Sequence, residues 1–227
     1  MCARTAPPKP RIMIIDDHPL VRRALRQLLS QETDLEVLHE AHDAESALRL
    51  ASTTPLDLIL MDLSLKESSG TDLIKRIHAQ FPGTRVLVFS MFEDRVYASR
   101  ALRAGAAGYV NKQAPIEELI GAIRQVLGGK VYLNSHVADA DADASANSDG
   151  VPNARQAPHD LLSDRELEIF ELIGRGSTTR AIAQRLHVSV KTVETHRENI
   201  KRKLGLSRNI ELIQHSYRWV LELPRSD

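Results

Sequence analysis

The sequence predicts two domains of different class. The first is an α/β domain built on a five-stranded parallel sheet with helices on both faces, and the second is a small all-α domain. Three observations carry this. In the first part of the chain, short apolar runs alternate five times with stretches of helical periodicity, the order that a parallel sheet with helical crossovers requires. No strand pattern appears after residue 158. Between the two parts lies Asn134–His159, NSHVADADADASANSDGVPNARQAPH, which is small, polar and acidic and holds too little apolar surface to bury a core.

Taken in order, the strands are expected at Ile12–Ile15, Leu35–Leu38, Leu56–Met61, Val86–Phe89 and Gly108–Val110. The helices between them fit Leu20–Leu29, Ala44–Ala51, Thr71–Phe81, Arg95–Ala104 and Pro115–Leu127, with Pro19 and Pro115 suited to first-turn positions. Gly105 and Gly108 punctuate the turn into the last strand. In the second domain, Leu162-Ser163-Asp164-Arg165-Glu166-Leu167 joins a capping box, Ser163 with Glu166, to a hydrophobic staple, Leu162 with Leu167. That starts a helix running to about Gly174. Three more helices fit Thr178–Leu186, Val190–Leu204 and Arg208–Leu221. The expected bounds are a disordered tail at 1–10, the α/β domain at 11–130, a flexible acidic linker at 131–157 and the helical domain at 158–223.

Composition narrows the function classes. The 227 residues carry 30 basic and 30 acidic side chains, so net charge does not announce a nucleic-acid partner, and a local patch must carry any such claim. The single cysteine, Cys2, excludes an intrachain disulfide and fits a reducing cytoplasm. No apolar run approaches the ~18 residues of a membrane span, and no signal peptide is evident, so a cytoplasmic protein is expected.

Polar residues gather where such a sheet binds ligands, at the carboxyl ends of its strands. Asp16 and Asp17 follow the first strand, Asp62 ends the third, Ser90 the fourth and Lys112 the fifth. One aspartate after a strand is ordinarily a turn or helix cap. Three carboxylates together repel unless a cation sits among them, and carboxylates with phosphate oxygens suit Mg²⁺. A carboxylate can attack phosphorus to form an acyl phosphate, with a metal and a lysine offsetting the charge.

At these residues the segment 11–130 resembles a two-component receiver domain. The stretches are Ile14-Ile15-Asp16-Asp17-His18, Leu58-Ile59-Leu60-Met61-Asp62-Leu63 and Gly105-Ala106-Ala107-Gly108-Tyr109-Val110-Asn111-Lys112. The resemblance implies a flavodoxin-like fold, with Asp62 as phosphoacceptor and a histidine kinase as donor. It implies Mg²⁺ held by Asp16, Asp17, Asp62 and the main-chain carbonyl of Ser64, and Lys112 paired with the phosphate. Ser90 and Tyr109 would be a switch pair, the hydroxyl moving to the phosphoryl oxygen as the ring turns inward. The sequence departs from the pattern at Lys66, Ser69 and Gln113, none of them a reacting group. Ser64 and Phe92 would flank the phosphate and influence its hydrolysis.

The helix expected at Val190–Leu204 separates two faces. Val193, Ile200 and Leu204 form an apolar stripe, opposite Lys191, Glu194, Thr195, Glu198, Lys201 and Arg202. Lys191, Glu194, Thr195 and Glu198 are candidates for base edges, and Thr192, Arg197, Lys201, Arg202 and Lys203 for phosphate or positioning contacts. Leu162–Glu168, Val190–Arg197 and Lys203-Leu204-Gly205-Leu206 resemble a LuxR-type helix-turn-helix over 158–223. Together the halves are similar to the NarL/FixJ response regulators. That implies control of DNA binding by phosphorylation, docking of half-sites on double-stranded DNA, and a homodimer formed on phosphorylation to which Ile210 and Ile213 contribute. RNA polymerase is a further candidate partner. Glu194 and Glu198 stand where some members carry lysine, so the operator sequence does not transfer.

Three competing readings remain at this level. A phosphatase with an aspartate nucleophile ordinarily carries a second aspartate two residues on, where this chain has Ser64; no turnover of external substrates is expected, only assistance to the receiver's own phosphorylation and dephosphorylation. A regulator with a vestigial receiver would not need the Asp16, Asp17, Asp62 and Lys112 set. An interaction adaptor would not need a basic reading helix.

Overall fold

The computed structural model describes residues 8–65, 69–91, 95–133 and 158–222. The chain divides into two compact units, Met1–Asp149 and Gly150–Asp227. The expected tail up to residue 7 with Cys2, Lys66, Phe92, and residues 134–157 of the expected linker lie outside the described residues.

The first unit runs β1 (Arg11–Ile15), α1 (Pro19–Ser30), β2 (Glu36–Ala41), α2 (Ala44–Thr53), β3 (Leu58–Met61), α3 (Gly70–Gln80), β4 (Arg85–Ser90), α4 (Arg95–Arg103), β5 (Gly108–Asn111), α5 (Ile116–Leu127) and β6 (Tyr132–Leu133). All strands are parallel, in the order β2-β1-β3-β4-β5-β6. The order reverses direction between β1 and β3, and a crevice opens at the carboxyl ends of such a pair. Ile12, Ile14, Leu58, Leu60, Leu87 and Val110 pack with Leu25 and Leu29 of α1 and Leu119, Ile123 and Val126 of α5. The alternate residues Met13, Ile15, Ile59 and Met61 are equally buried. They face the other side, where right-handed crossovers place α2, α3 and α4.

β3 begins at Leu58, two residues later than expected, β1, β4 and β5 shift by a residue at one end or both, and the larger departures lie at the two edges of the sheet. β2 continues to Ala41 through His39 and Glu40, because an edge strand tolerates polar side chains where the apolar run stops at Leu38. The sheet has six strands rather than five. Tyr132 and Leu133, expected in the linker, pair with Gly108 and Tyr109 of β5. The Tyr132 N–H donates to the Ala107 carbonyl at 3.0 Å, and its hydroxyl donates to Glu118 at 2.9 Å. Gly108 permits this approach, since a Cβ there would lie 2.8 Å from the Tyr132 carbonyl oxygen. A two-residue strand has no periodicity for sequence reading to find.

The second unit runs α6 (Pro158–Leu161), α7 (Asp164–Gly174), α8 (Thr179–Arg185), α9 (Val190–Leu204) and α10 (Asn209–Glu222). α6 is a single turn added to the four helices expected. The capping box of α7 forms as read: Ser163 accepts from the Glu166 N–H, and Glu166 accepts from the Ser163 N–H at 2.9 Å. Leu162 and Leu167 are both buried. α7 is buried on nearly all sides and Gly174 lets α10 approach it, since a Cβ there would meet the Ser216 backbone. Ser189 caps α9 by accepting from the Thr192 N–H at 3.0 Å, and Gly205 ends it in a left-handed conformation, φ 67°. The turn between α8 and α9 passes through His187 at φ 51°.

Candidate functional site

The parallel ladder continues one residue past the strand ends and so fixes the rim. The Asp16 N–H donates to Ala41 O at 3.2 Å, the Asp62 N–H to Ile15 O at 2.8 Å and the Lys112 N–H to Ser90 O at 2.7 Å. These bonds bring together side chains far apart in sequence. The Lys112 ammonium donates to Asp62 Oδ2 at 2.6 Å and to Asp16 Oδ2 at 2.7 Å. Asp16 and Asp62 are buried. Burial works against the Lys112 charge, but the charges of Asp62 and then Asp16, with their hydrogen bonds, outweigh it and hold the ammonium above the ordinary lysine range.

The rest of the rim closes around these groups. Asp62 Oδ1 accepts from the Ser64 N–H at 3.1 Å. The N-cap position of α1 is taken by His18, whose side chain makes no capping bond and whose N–H donates to Asp16 Oδ1 at 2.8 Å. The His18 ring Nδ1 lies 2.7 Å from Asp17 Oδ1, and Arg22 donates to the Asp16 main-chain oxygen at 2.6 Å. Ligand atoms of Asp16, Asp17, His18 and Asp62 all lie within 4.8 Å of one another, so the donor set fits a metal ion. Ser90 is fully buried, and its hydroxyl has no hydrogen-bond partner among the described residues. Tyr109 is also buried, its ring already inside. Ser69 caps α3, accepting from the Asp72 N–H, a helix-start role that serine fills as well as asparagine.

A second constellation lies on α9. Lys191, Glu194, Thr195, Arg197 and Glu198 line one concavity, together with Thr179 of α8 and Asn209 of α10. Lys191, Glu194, Thr195, Glu198 and Arg202 are exposed. Thr192 is engaged at the helix start, its hydroxyl 2.8 Å from Ser189 Oγ. Lys201 is only 12 % exposed and pairs with Glu198 at 2.9 Å. Lys203 does not join the concavity; its amine donates to the buried Glu166 at 2.6 Å. Burial holds Glu166 up, but the Lys203 and Ser163 hydrogen bonds outweigh this and lower its pKa.

Sequence reading missed His18, Arg22, Thr179 and Asn209, and gave Glu166 a capping role only. His18 directly follows Asp17 and could have been found; the others enter through helix packing.

The family profile described as response regulator receiver domain matches residues 12–124, and that described as bacterial regulatory proteins, luxR family, matches residues 160–216. Among curated proteins, the oxygen regulatory protein NreC of Staphylococcus aureus (strain bovine RF122 / ET3-1) is 38 % identical over 216 residues, 91 % of this chain and 96 % of that protein. NreC of Staphylococcus carnosus (strain TM300) is 37 % identical over 208 residues, with the same coverage. Among solved structures, a two-component response regulator of the LuxR family from Aurantimonas sp. SI85-9A1 is 34 % identical with a TM-score of 0.57, covering 62 % of this chain and 100 % of that one. RcsB from Salmonella enterica serovar Typhimurium, bound to promoter rprA in the presence of the phosphomimetic BeF3-, is 25 % identical with a TM-score of 0.57, covering 92 % and 99 %.

Proposed function

Because this chain belongs to the response-regulator family that joins a receiver domain to a LuxR-type DNA-binding domain, we propose that phosphorylation of Asp62 controls its binding to DNA and so regulates transcription. The donor is a histidine kinase. The Asp62 carboxylate attacks phosphorus, an O–P bond forms, and the N–P bond of the donor histidine breaks. Asp16, Asp17, Asp62 and the Ser64 main-chain carbonyl would hold a Mg²⁺, which offsets charge on the phosphoryl oxygens. Lys112, already seated on Asp62, is positioned to pair with the phosphoryl group. The buried Ser90 hydroxyl, without a partner among the described residues, gains one when a phosphoryl oxygen arrives beside it. The receiver assists only its own phosphorylation and dephosphorylation, and no step turns over an external substrate.

The observation that carries this reading is the Lys112 ammonium shared between Asp62 and Asp16 at the reversal point of the sheet. A vestigial receiver has no need of that arrangement. On the output side, Lys191, Glu194, Thr195 and Glu198 read base edges, and Thr192, Arg197, Lys201 and Arg202 contact phosphates or position the helix. The RcsB complex with promoter DNA supports this assignment for a relative of the same architecture. A homodimer formed on phosphorylation is supported by the apolar stripe on α10, where Ile210, Ile213, Tyr217 and Leu221 are all exposed and recur on one face. Tethering makes the second half-site contact intramolecular. No helix among the described residues is long and apolar enough to cross a membrane.

The test measures mass and DNA affinity with and without beryllofluoride. Expected are a shift to the dimer and tighter binding, both lost in Asp62→Asn, which also abolishes acyl-phosphate labelling. Unchanged mass and affinity would overturn the coupling, and persistent labelling would overturn the site.

A further inference from the structure

The first turn of α7 is polar yet buried: Asp164, Arg165 and Glu166 are 1 %, 9 % and 4 % exposed. The capping box accounts for only part of this. Arg165 extends its guanidinium to two acceptors, Glu168 at 2.7 Å and the main-chain oxygen of Leu186 at 2.9 Å. Leu186 ends α8, where carbonyls have no partner within the helix, and opens the turn into α9. Glu166, the next residue, accepts from Lys203 at 2.6 Å. Lys203 stands in the last turn of α9. Two adjacent residues of α7 therefore hold the turn before the 15-residue reading helix and the far end of that helix.

We propose that Arg165 and Glu166 are positioning residues that set the pitch of α9, and that Lys203 is their strut rather than a phosphate contact. The inference rests on α9 being the DNA-reading helix. Charge pattern alone groups Lys203 with Arg202, but the structure separates them. Both are exposed, but Arg202 bonds to Asn199 of its own helix, at 3.0 Å, whereas Lys203 is spent on a buried carboxylate of another helix. An ammonium leaving Glu166 for a phosphate would leave a buried carboxylate uncompensated. Pitch matters because base-edge contacts depend on helix placement, while phosphate attraction tolerates displacement.

The experiment uses the full chain, with folding checked by circular dichroism. Two probes are used: a random-sequence duplex, and a duplex selected from a random pool by the wild-type protein. Lys203→Met is expected to reduce the selected-to-random affinity ratio at least tenfold while leaving the salt dependence of random-duplex binding unchanged. Arg202→Met is expected to flatten that dependence by about 0.9 for each phosphate the guanidinium no longer neutralises. The exchange Glu166→Lys with Lys203→Glu should recover part of the ratio that Lys203→Glu alone gives up, and Lys203→Arg should retain it. The proposal is overturned if Lys203→Met flattens the salt dependence as Arg202→Met does while the ratio is kept. A wild-type chain that selects no sequence would overturn the function proposed above and this inference with it.

Discussion

The Lys112 ammonium, carried just beyond β5, stands 2.6 Å from the Asp62 carboxylate carried just beyond β3. The two residues are 50 positions apart, and β4 lies between their strands in the sheet. Their meeting sets an ammonium against a buried carboxylate, which offsets part of the cost of burying either charge.

Lys112→Ala should therefore slow acyl-phosphate formation at Asp62 by about 10²-fold, the effect of removing one aimed electrostatic donor. It leaves Asp16 and Asp62 facing each other without their shared cation. Labelling of the purified protein with a small phosphodonor measures the rate, and a rate within twofold of wild type would refute the role given to Lys112.

Ser90→Ala removes a buried hydroxyl that has no partner among the described residues. Unfolding stability should hold or rise by about 1 kcal/mol, because an unsatisfied buried polar group is removed. Acyl-phosphate labelling should persist, while the gain in DNA affinity with beryllofluoride should disappear. Chemical denaturation and binding titrations check the two halves; a retained gain in affinity would remove Ser90 from the switch.

Gly174→Ala places a Cβ against the Ser216 backbone, which cannot yield as a flexible side chain would. α7 and α10 must separate, at a cost of about 1–3 kcal/mol. Thermal melts should show the transition of the second unit lowered and that of the first unmoved. Equal melting of the two proteins would show that the helices have room to adjust.

His196 lies on the inner side of α9, near Arg165 and Glu166 of α7 and Lys203 of its own helix. Burial lowers its pKa from the ordinary 6.5, Glu166 opposes this, and Arg165 and Lys203 add to it. The unfolded chain thus binds the proton more readily. The stability contributed by neutral His196 is complete above about pH 6.5 and is lost as pH falls through the lower folded value. His196→Gln should flatten the decline of stability with acid in that window. Glu166 acts in a separate one: its lowered pKa gives stability present above its ordinary 4.5 and lost at lower pH. A His196→Gln profile that still falls like the wild type as pH drops below about 6.5 would assign the decline to other groups.

Much of the first unit was legible because strand burial writes itself into composition. Ile12–Ile15 and Leu58–Met61 are unbroken apolar runs, since both faces of these strands are covered. The rim aspartates were legible for a related reason: Asp16 and Asp62 directly follow such runs and so must lie at strand ends. β6 was not legible, because two residues carry no period and their pairing depends on Gly108, a position whose importance appears only when Tyr132 stands against it.

Chemical identity and order along the chain thus decided which residues gather on the rim, the two classes of domain and the polar face of α9. Tertiary structure decided the partnerships. That Lys112 serves Asp16 as well as Asp62, that Ser90 is buried without a partner among the described residues, and that Lys203 serves Glu166 follow from packing among elements distant in sequence. Local patterns record which side of a helix or strand is apolar. They do not record which buried charge on another element will claim a given cation, and that is settled by the desolvation cost of leaving the charge unpaired.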